Sequence, residues 1–565
     1  MKRWLFLLVI VMASTTSVRA LQWPKSRSIT ARSVAMAPHG MVATSHPLAA
    51  EVGLDVLKRG GNAIDAAIAA NAAMGLMEPM SCGVGGDLFA IVWDAKTHKM
   101  FGLNASGRSP YRATRALFAE RGLKEIPLIG PLSWSVPGCV DGWDALAKRF
   151  GSLPLADLLE PSIHYAEEGF PVAEVIGGYW HNAENKLLQD AEATRTYLID
   201  GQAPKAGTLF RNPNLARTYR AIAQGGRDAF YRGPIAKEIV AYSDRVGGLF
   251  SDRDFADHTS TWIEPVSTNY RGYDVWELPP PGQGIATLQM LNMLEAYDLK
   301  KMGPLSPDYW HLFVEAKKLA YEDRARFYSD PDFAPPPTAE LISKDYARKR
   351  AQLIDSAKAQ TKVLPGSPKL EMGDTIYLCV VDKNRNCVSL IESNYQGFGS
   401  GMVPGNLGFA LQNRGTLLAL DPKHRNRLEP HKRPFHTIIP ALVTKDQEPW
   451  LVFGVMGGDM QPQGQVQILC NMIDFGMNVQ QAGEFPRLEH LGSSTPTGRK
   501  AKAGGRLAVE ISMPSAITDE LTRRGHEVTF TPTNSGGYQG IMIDRAAGLL
   551  KGGTEPRKDG SAVGY

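Results

Sequence analysis

A chain of 565 residues, 43% hydrophobic and 21% charged, can build a large core in one big or two ordinary domains, and is neither disordered nor fibrous in composition. Its 62 basic and 58 acidic residues leave a net charge of +4, with the basic residues scattered, which argues against a nucleic-acid-binding face. Five cysteines without a CxxC pair, and no histidines at zinc-ligand spacing, give no expectation of a metal.

The N-terminus pairs the basic start Met1-Lys2-Arg3 with an apolar run from Trp4 to Met12 and the small-x-small site Val18-Arg19-Ala20. That pattern predicts a signal peptide over residues 1–20, so the mature protein is expected to be periplasmic or secreted. The run is too short to span a bilayer, and no other stretch is apolar enough, so no membrane association is expected after signal removal.

Residues 46–59 predict an amphipathic helix stopped by Gly60-Gly61, and 63–78 an alanine-rich helix that can sit close on a sheet. Residues 81–94 read as a glycine turn into a strand. From about 110 to 350 the pattern is mainly helical, with breaks at Pro279–Gly284 and at Asp330–Pro337. Residues 363–373 (VLPGSPKLEMG) read as an exposed linker.

The character then changes. TIYLCVVD (375–382) is apolar on both faces, as for a strand covered on both sides. Further strands are expected at 387–393, 436–443 and 450–456, and a helix near 463–475. Hairpins covered by helices suggest two sheets between helix layers, a pattern shared with other α+β folds. Cys379 and Cys387 flank the first hairpin; the residues favour buried free thiols over a bridge.

Two segments carry chemistry. In Gly373-Asp374-Thr375 a linker runs into a buried strand that begins with threonine. A threonine hydroxyl is a poor nucleophile without a base, and an N-terminal threonine has one in its own α-amine. That amine exists only if the bond before Thr375 is broken. In Gly454–Asp459 a strand ends in paired glycines, whose bare N–H groups suit an oxyanion hole. There is no GxSxG elbow, P-loop, dinucleotide fingerprint or HExxH, so no cofactor is expected. His436, at a strand start, reads more readily as structural than as a base.

Together the segments GMVATSHPLAAEVGLDVLKRGGNAIDAAIAA (40–70), GVGGDLF (83–89), GDTIYLCVVD (373–382), GFGSG (397–401), KRPFHTIIPALV (432–443), GVMGGD (454–459) and the terminal SAVGY resemble the γ-glutamyltranspeptidase family, over nearly all of the mature chain. The resemblance implies an αββα sandwich of the N-terminal nucleophile type, made as one precursor. Thr375 would cleave the Asp374–Thr375 bond, leaving a large subunit of residues 21–374 and a small catalytic subunit of 375–565 as a heterodimer; whether it pairs further stays open. In turnover Thr375 attacks a small-molecule amide, Gly457 and Gly458 hold the oxyanion, and Ser393 orients the amine.

The implied substrate clamp departs from the family's pattern. Leu417 stands where an acidic residue would hold the glutamyl ammonium, His436-Thr437 replace a serine pair, and Tyr395 replaces a polar residue. Arg108 aligns two positions away from the large-subunit arginine. Arg414, His436, Thr437, Tyr395, Asp459 and Arg108 are thus the candidate substrate-binding residues. The leading expectation is a γ-glutamyl hydrolase or transferase acting on glutathione-like donors. The alternatives are an acylase of another N-acyl amide, such as a glutaryl or oxamate-like one, and a non-catalytic binding relative.

Overall fold

The computed structural model describes residues 32–361, 374–500, 504–531 and 536–565. The expected signal peptide and the whole of the expected linker lie outside the described residues.

The strand Asp374–Val381 shows why the fold has four layers. Ile376, Leu378 and Val380 enter one core cluster, with the helix Ala63–Met77; Tyr377, Cys379 and Val381 enter another. Successive side chains of a strand face opposite ways, so a strand apolar from Ile376 to Val381 must be covered twice. The second cluster also holds Phe89, Ile391, Leu442, Val452 and Ile541 and is the seam between two sheets.

The first sheet has the spatial order Ser561–Gly564, Met41–Thr44, Asp374–Val381, Cys387–Tyr395, Asp87–Asp94, Lys99–Ala105, Thr261–Ile263. The second runs Ala35–Ala37, Leu549–Thr554, Tyr538–Asp544, Glu448–Val455, Ala441–Lys445, Tyr273–Glu277, Val266–Tyr270. Neighbouring strands within both are antiparallel. Helices Pro47–Lys58 and Ala63–Met77 cover the outer face of the first sheet. Gly284–Leu294, Pro307–Phe327 and Met460–Leu469 cover the second. The result is an α+β, αββα sandwich.

Close approach explains two glycines. A Cβ at Gly454 would fall 2.4 Å from the Tyr377 ring, where the sheets meet. One at Gly75 would fall 2.9 Å from Gly83 Cα, where the alanine-rich helix meets the glycine turn.

Three expectations need correction or completion. The middle of the chain also contributes strands at 261–263, 266–270 and 273–277, too short to show a period. The strand expected over 436–443 begins only at Ala441. Pro440 has no N–H to donate, and the N–H groups of His436 and Ile439 go to Pro281 O and Gln461 Oε1. All five cysteines are buried and free, Cys379 and Cys387 included. Among the described residues no helix is long and apolar enough to cross a membrane.

Candidate active site

Thr375 sits at a bulge. Asp374 pairs with Tyr395 and Ile376 with Glu392, so the ladder slips between them. One residue, Thr375, faces two, Ser393 and Asn394, so the extra residue lies on the strand Cys387–Tyr395, which bends there. Thr375 is buried, and its Oγ1 donates to Ser393 Oγ across the hairpin at 3.3 Å. Ser393 Oγ also accepts the Tyr395 N–H at 2.8 Å. Tyr395 takes a φ of +79°, strained for a residue with a Cβ, as the chain turns out of the sheet.

The Tyr395 ring lies 5.3 Å from the guanidinium carbon of Arg414, which opens the 3₁₀ turn Arg414–Leu417. Arg414 is fully buried. Its Nη1 donates to Thr437 Oγ1 at 3.0 Å, while Nε and Nη2 have no protein partner among the described residues. Burial lowers its pKa to about 10, with Asp87 and Tyr395 opposing, so it is a cation at neutral pH. Leu417, at the other end of the turn, is buried in the same apolar cluster as Tyr395.

Gln283 links this group to the glycine turn. Its Nε2 donates to Thr437 O at 2.6 Å and to Gly458 O at 2.8 Å. Gly457 and Gly458 take φ values of +107° and +57°, a turn that glycine adopts without steric cost. The next residue, Asp459, gives its two carboxylate oxygens to Arg324, at 2.6 and 3.0 Å, and its carbonyl to the Tyr321 hydroxyl at 2.5 Å. Arg324 also donates to Gln283 Oε1 at 2.5 Å. A bidentate pair, buried on the arginine side and part-buried on the aspartate side, therefore anchors the turn from behind.

His436 Nε2 lies 2.8 Å from Asp87 Oδ2, with both side chains fully buried. Asp87 Oδ1 accepts from Gly107 N at 2.9 Å, Gly138 N at 3.1 Å and Gln412 Nε2 at 2.8 Å. Burial and the nearby Arg414 lower the His436 pKa to about 4, so the ring is neutral around pH 7. Its Nε2–H then donates to Asp87, which leaves Nδ1 as an acceptor without a protein partner among the described residues. Arg108 stands apart from this set. It donates to Thr259 O at 3.3 Å, the carbonyl that Arg433 also reaches at 3.0 Å.

The arrangement joins a hydroxyl opposite a bulge, a second hydroxyl that fixes it, a braced glycine turn and a buried cation with two donor nitrogens to spare. The family model described as Gamma-glutamyltranspeptidase matches residues 49–565. The chain is an enzyme of the gamma-glutamyltranspeptidase family. It is 38% identical over 531 residues to the Glutathione hydrolase-like YwrD proenzyme of Bacillus subtilis, covering 93% of this chain and 98% of that protein. It is 33% identical over 536 residues to the Oxamate amidohydrolase proenzyme of Klebsiella pneumoniae, covering 93% and 98%. The crystal structure of cephalosporin acylase from Bacillus halodurans superposes with a TM-score of 0.87 at 40% identity, covering 97% of this chain and 98% of that one.

In this family member, sequence reasoning placed Thr375 and Ser393 together, and the structure puts them in hydrogen-bond contact. It did not find Asp87, Gln283, Arg324 or Gln412. Asp87 was visible only as the end of a glycine turn, and Gln283 as part of a proline break. Their roles arise from contacts across 349 and 175 residues of sequence separation, which no local spacing reveals.

Proposed function

We propose that the protein is a self-processing amidase that cuts itself before Thr375 and then transfers acyl groups from small-molecule amides to water through Thr375. Thr375 Oγ attacks the carbonyl carbon, and its freed α-amine takes the hydroxyl proton. The N–H groups of Gly457 and Gly458 serve as oxyanion donors, and the amine returns the proton to the leaving nitrogen. Water then opens the ester. Export through residues 1–20, and a heterodimer of residues 21–374 with 375–565, belong to the same proposal.

The preferred acyl donor is one with a carboxylate at its far end and no α-amine, such as a glutaryl amide. One observation carries this reading: Arg414 is a buried cation with two unused N–H donors. A buried charge is costly unless paired, and a carboxylate matches a guanidinium bidentately. Leu417, apolar and buried in the cluster that holds Tyr395, offers no anion for an ammonium. The relatives include glutathione hydrolase-like, oxamate amidohydrolase and cephalosporin acylase proteins, which agrees with a family in which the acyl clamp varies.

The test compares kcat/KM for a glutaryl and a γ-glutamyl amide of the same amine. The proposal expects the glutaryl amide to be cleaved at least as well. A hundredfold preference for the γ-glutamyl amide contradicts it.

A further inference from the structure

Away from Thr375, three buried side chains converge: His311 and Glu315, one turn apart on the helix Pro307–Phe327, and His526, which follows the helix Ser515–Arg523. Their nearest ligand atoms all lie within 4.8 Å of one another. The spacing of the sequence hides this group, because His526 stands 215 residues from His311.

The proton positions follow from the partners. His311 Nε2 lies 2.7 Å from the carbonyl oxygen of Asp355. A carbonyl only accepts, so Nε2 carries the hydrogen and Nδ1 presents a lone pair. That Nδ1 faces His526 Nε2 at 2.9 Å. Two lone pairs at that distance repel, so either a hydrogen or a cation lies between them. A histidine whose far N–H is fixed on a carbonyl is oriented as metal-ligating histidines are. Glu315 accepts from Lys318 Nζ at 2.8 Å through Oε1 and from Gln360 N at 3.3 Å through Oε2. Each oxygen retains a lone pair beyond those bonds.

We propose that His311, Glu315 and His526 bind a divalent transition cation of the imidazole-preferring class, such as zinc or cobalt. The positive charges of Lys318 and Arg524 hold its affinity below that of a dedicated four-ligand zinc site. His311 and Glu315 precede Thr375 and His526 follows it. If the chain is cut as proposed above, the ion links the two fragments; the binding site itself does not depend on that cut.

The test titrates cobalt(II) into metal-free full-length protein, reading visible d–d absorption and the melting temperature. His526→Gln keeps a donor toward His311 Nδ1 but removes the imidazole. The expected result is about one cobalt per chain and a raised melting temperature in the unmodified protein, with at least about tenfold weaker uptake in His526→Gln. If His526→Gln does not fold, Glu315→Gln, which keeps an acceptor for Gln360 N, takes its place with the same expectation. Equal uptake and equal thermal shift in protein and variant, or no uptake by the unmodified protein, overturns the proposal and leaves a plain hydrogen bond between the two histidines.

Discussion

Thr375 Oγ1 donates to Ser393 Oγ at 3.3 Å, while that same serine oxygen accepts the Tyr395 N–H at 2.8 Å. The serine is thereby fixed from one side by a backbone group and holds the threonine rotamer from the other. Ser393→Ala removes both bonds and leaves a buried N–H without this acceptor. A lost hydrogen bond of about 1–1.5 kcal/mol corresponds to about tenfold. Self-cleavage and kcat should each fall by at least that factor, with KM little changed, and Ser393→Thr should restore most of both. Single-turnover cleavage and steady-state rates check this.

Arg414→Met keeps the buried stem and removes the donors. Charge-assisted hydrogen bonds contribute about 1.5–3 kcal/mol, so kcat/KM for a glutaryl amide should fall by roughly tenfold to more than a hundredfold. Cleavage of an amide with an uncharged acyl group should change little. Leu417→Asp should move the preference towards the γ-glutamyl amide by supplying an anion for its ammonium. Paired kcat/KM values in the three proteins measure both effects.

The α-amine of Thr375 predicts a rising limb in the pH profile. Only the neutral amine accepts the hydroxyl proton, so activity should rise with pH through the amine's apparent pKa, whose reference value is about 7.7–8.0. A kcat/KM profile flat across that value contradicts the role.

Asp459→Ala should destabilise the protein. It leaves the fully buried Arg324 without its carboxylate. Breaking a buried pair costs about 3–5 kcal/mol, and the low end applies because Asp459 keeps about one-fifth of its side-chain surface in solvent. The glycine turn should loosen with it, so kcat should fall alongside the melting temperature.

Glu392, paired with Ile376 in the hairpin that carries Thr375, gives a pH dependence of stability. Burial raises its pKa from the ordinary 4.5 to about 8, against the opposing bonds from Gly83 N and Asn71. Between those values the folded state holds a proton that the unfolded state has released. Its stabilising share is therefore complete below about pH 4.5 and is lost as pH rises through about 8. Glu392→Gln should reduce the drop in melting temperature between pH 5 and 8.5. An unchanged drop contradicts the assignment.

The layers were legible because Ile376 to Val381 is apolar at every position and GVGGDLF and GVMGGD mark glycine turns next to strands. The short strands at 261–277 were not, since three to five residues cannot display a period. At the site, the family resemblance set Thr375 beside a second hydroxyl, Ser393, and the strands that carry them form one local hairpin. The supports escaped it. Asp87 under His436, and Arg324 under Asp459, are joined only when the two sheets and the helix Pro307–Phe327 close together. Sequence reading grouped Asp459 and Arg108 with the substrate residues. The structure commits the first to Arg324 and sets the second beside Arg433.

The claim on which the rest stands is that Thr375 becomes an N-terminal nucleophile by cutting its own chain. Purified protein and its Thr375→Ala variant, expressed side by side, should be examined by intact mass and N-terminal sequencing. The account predicts two fragments in the unmodified protein, the smaller beginning at Thr375, and one uncut chain in the variant. A variant that still splits at the same bond, or an unmodified protein that hydrolyses amides as a single uncut chain, contradicts it.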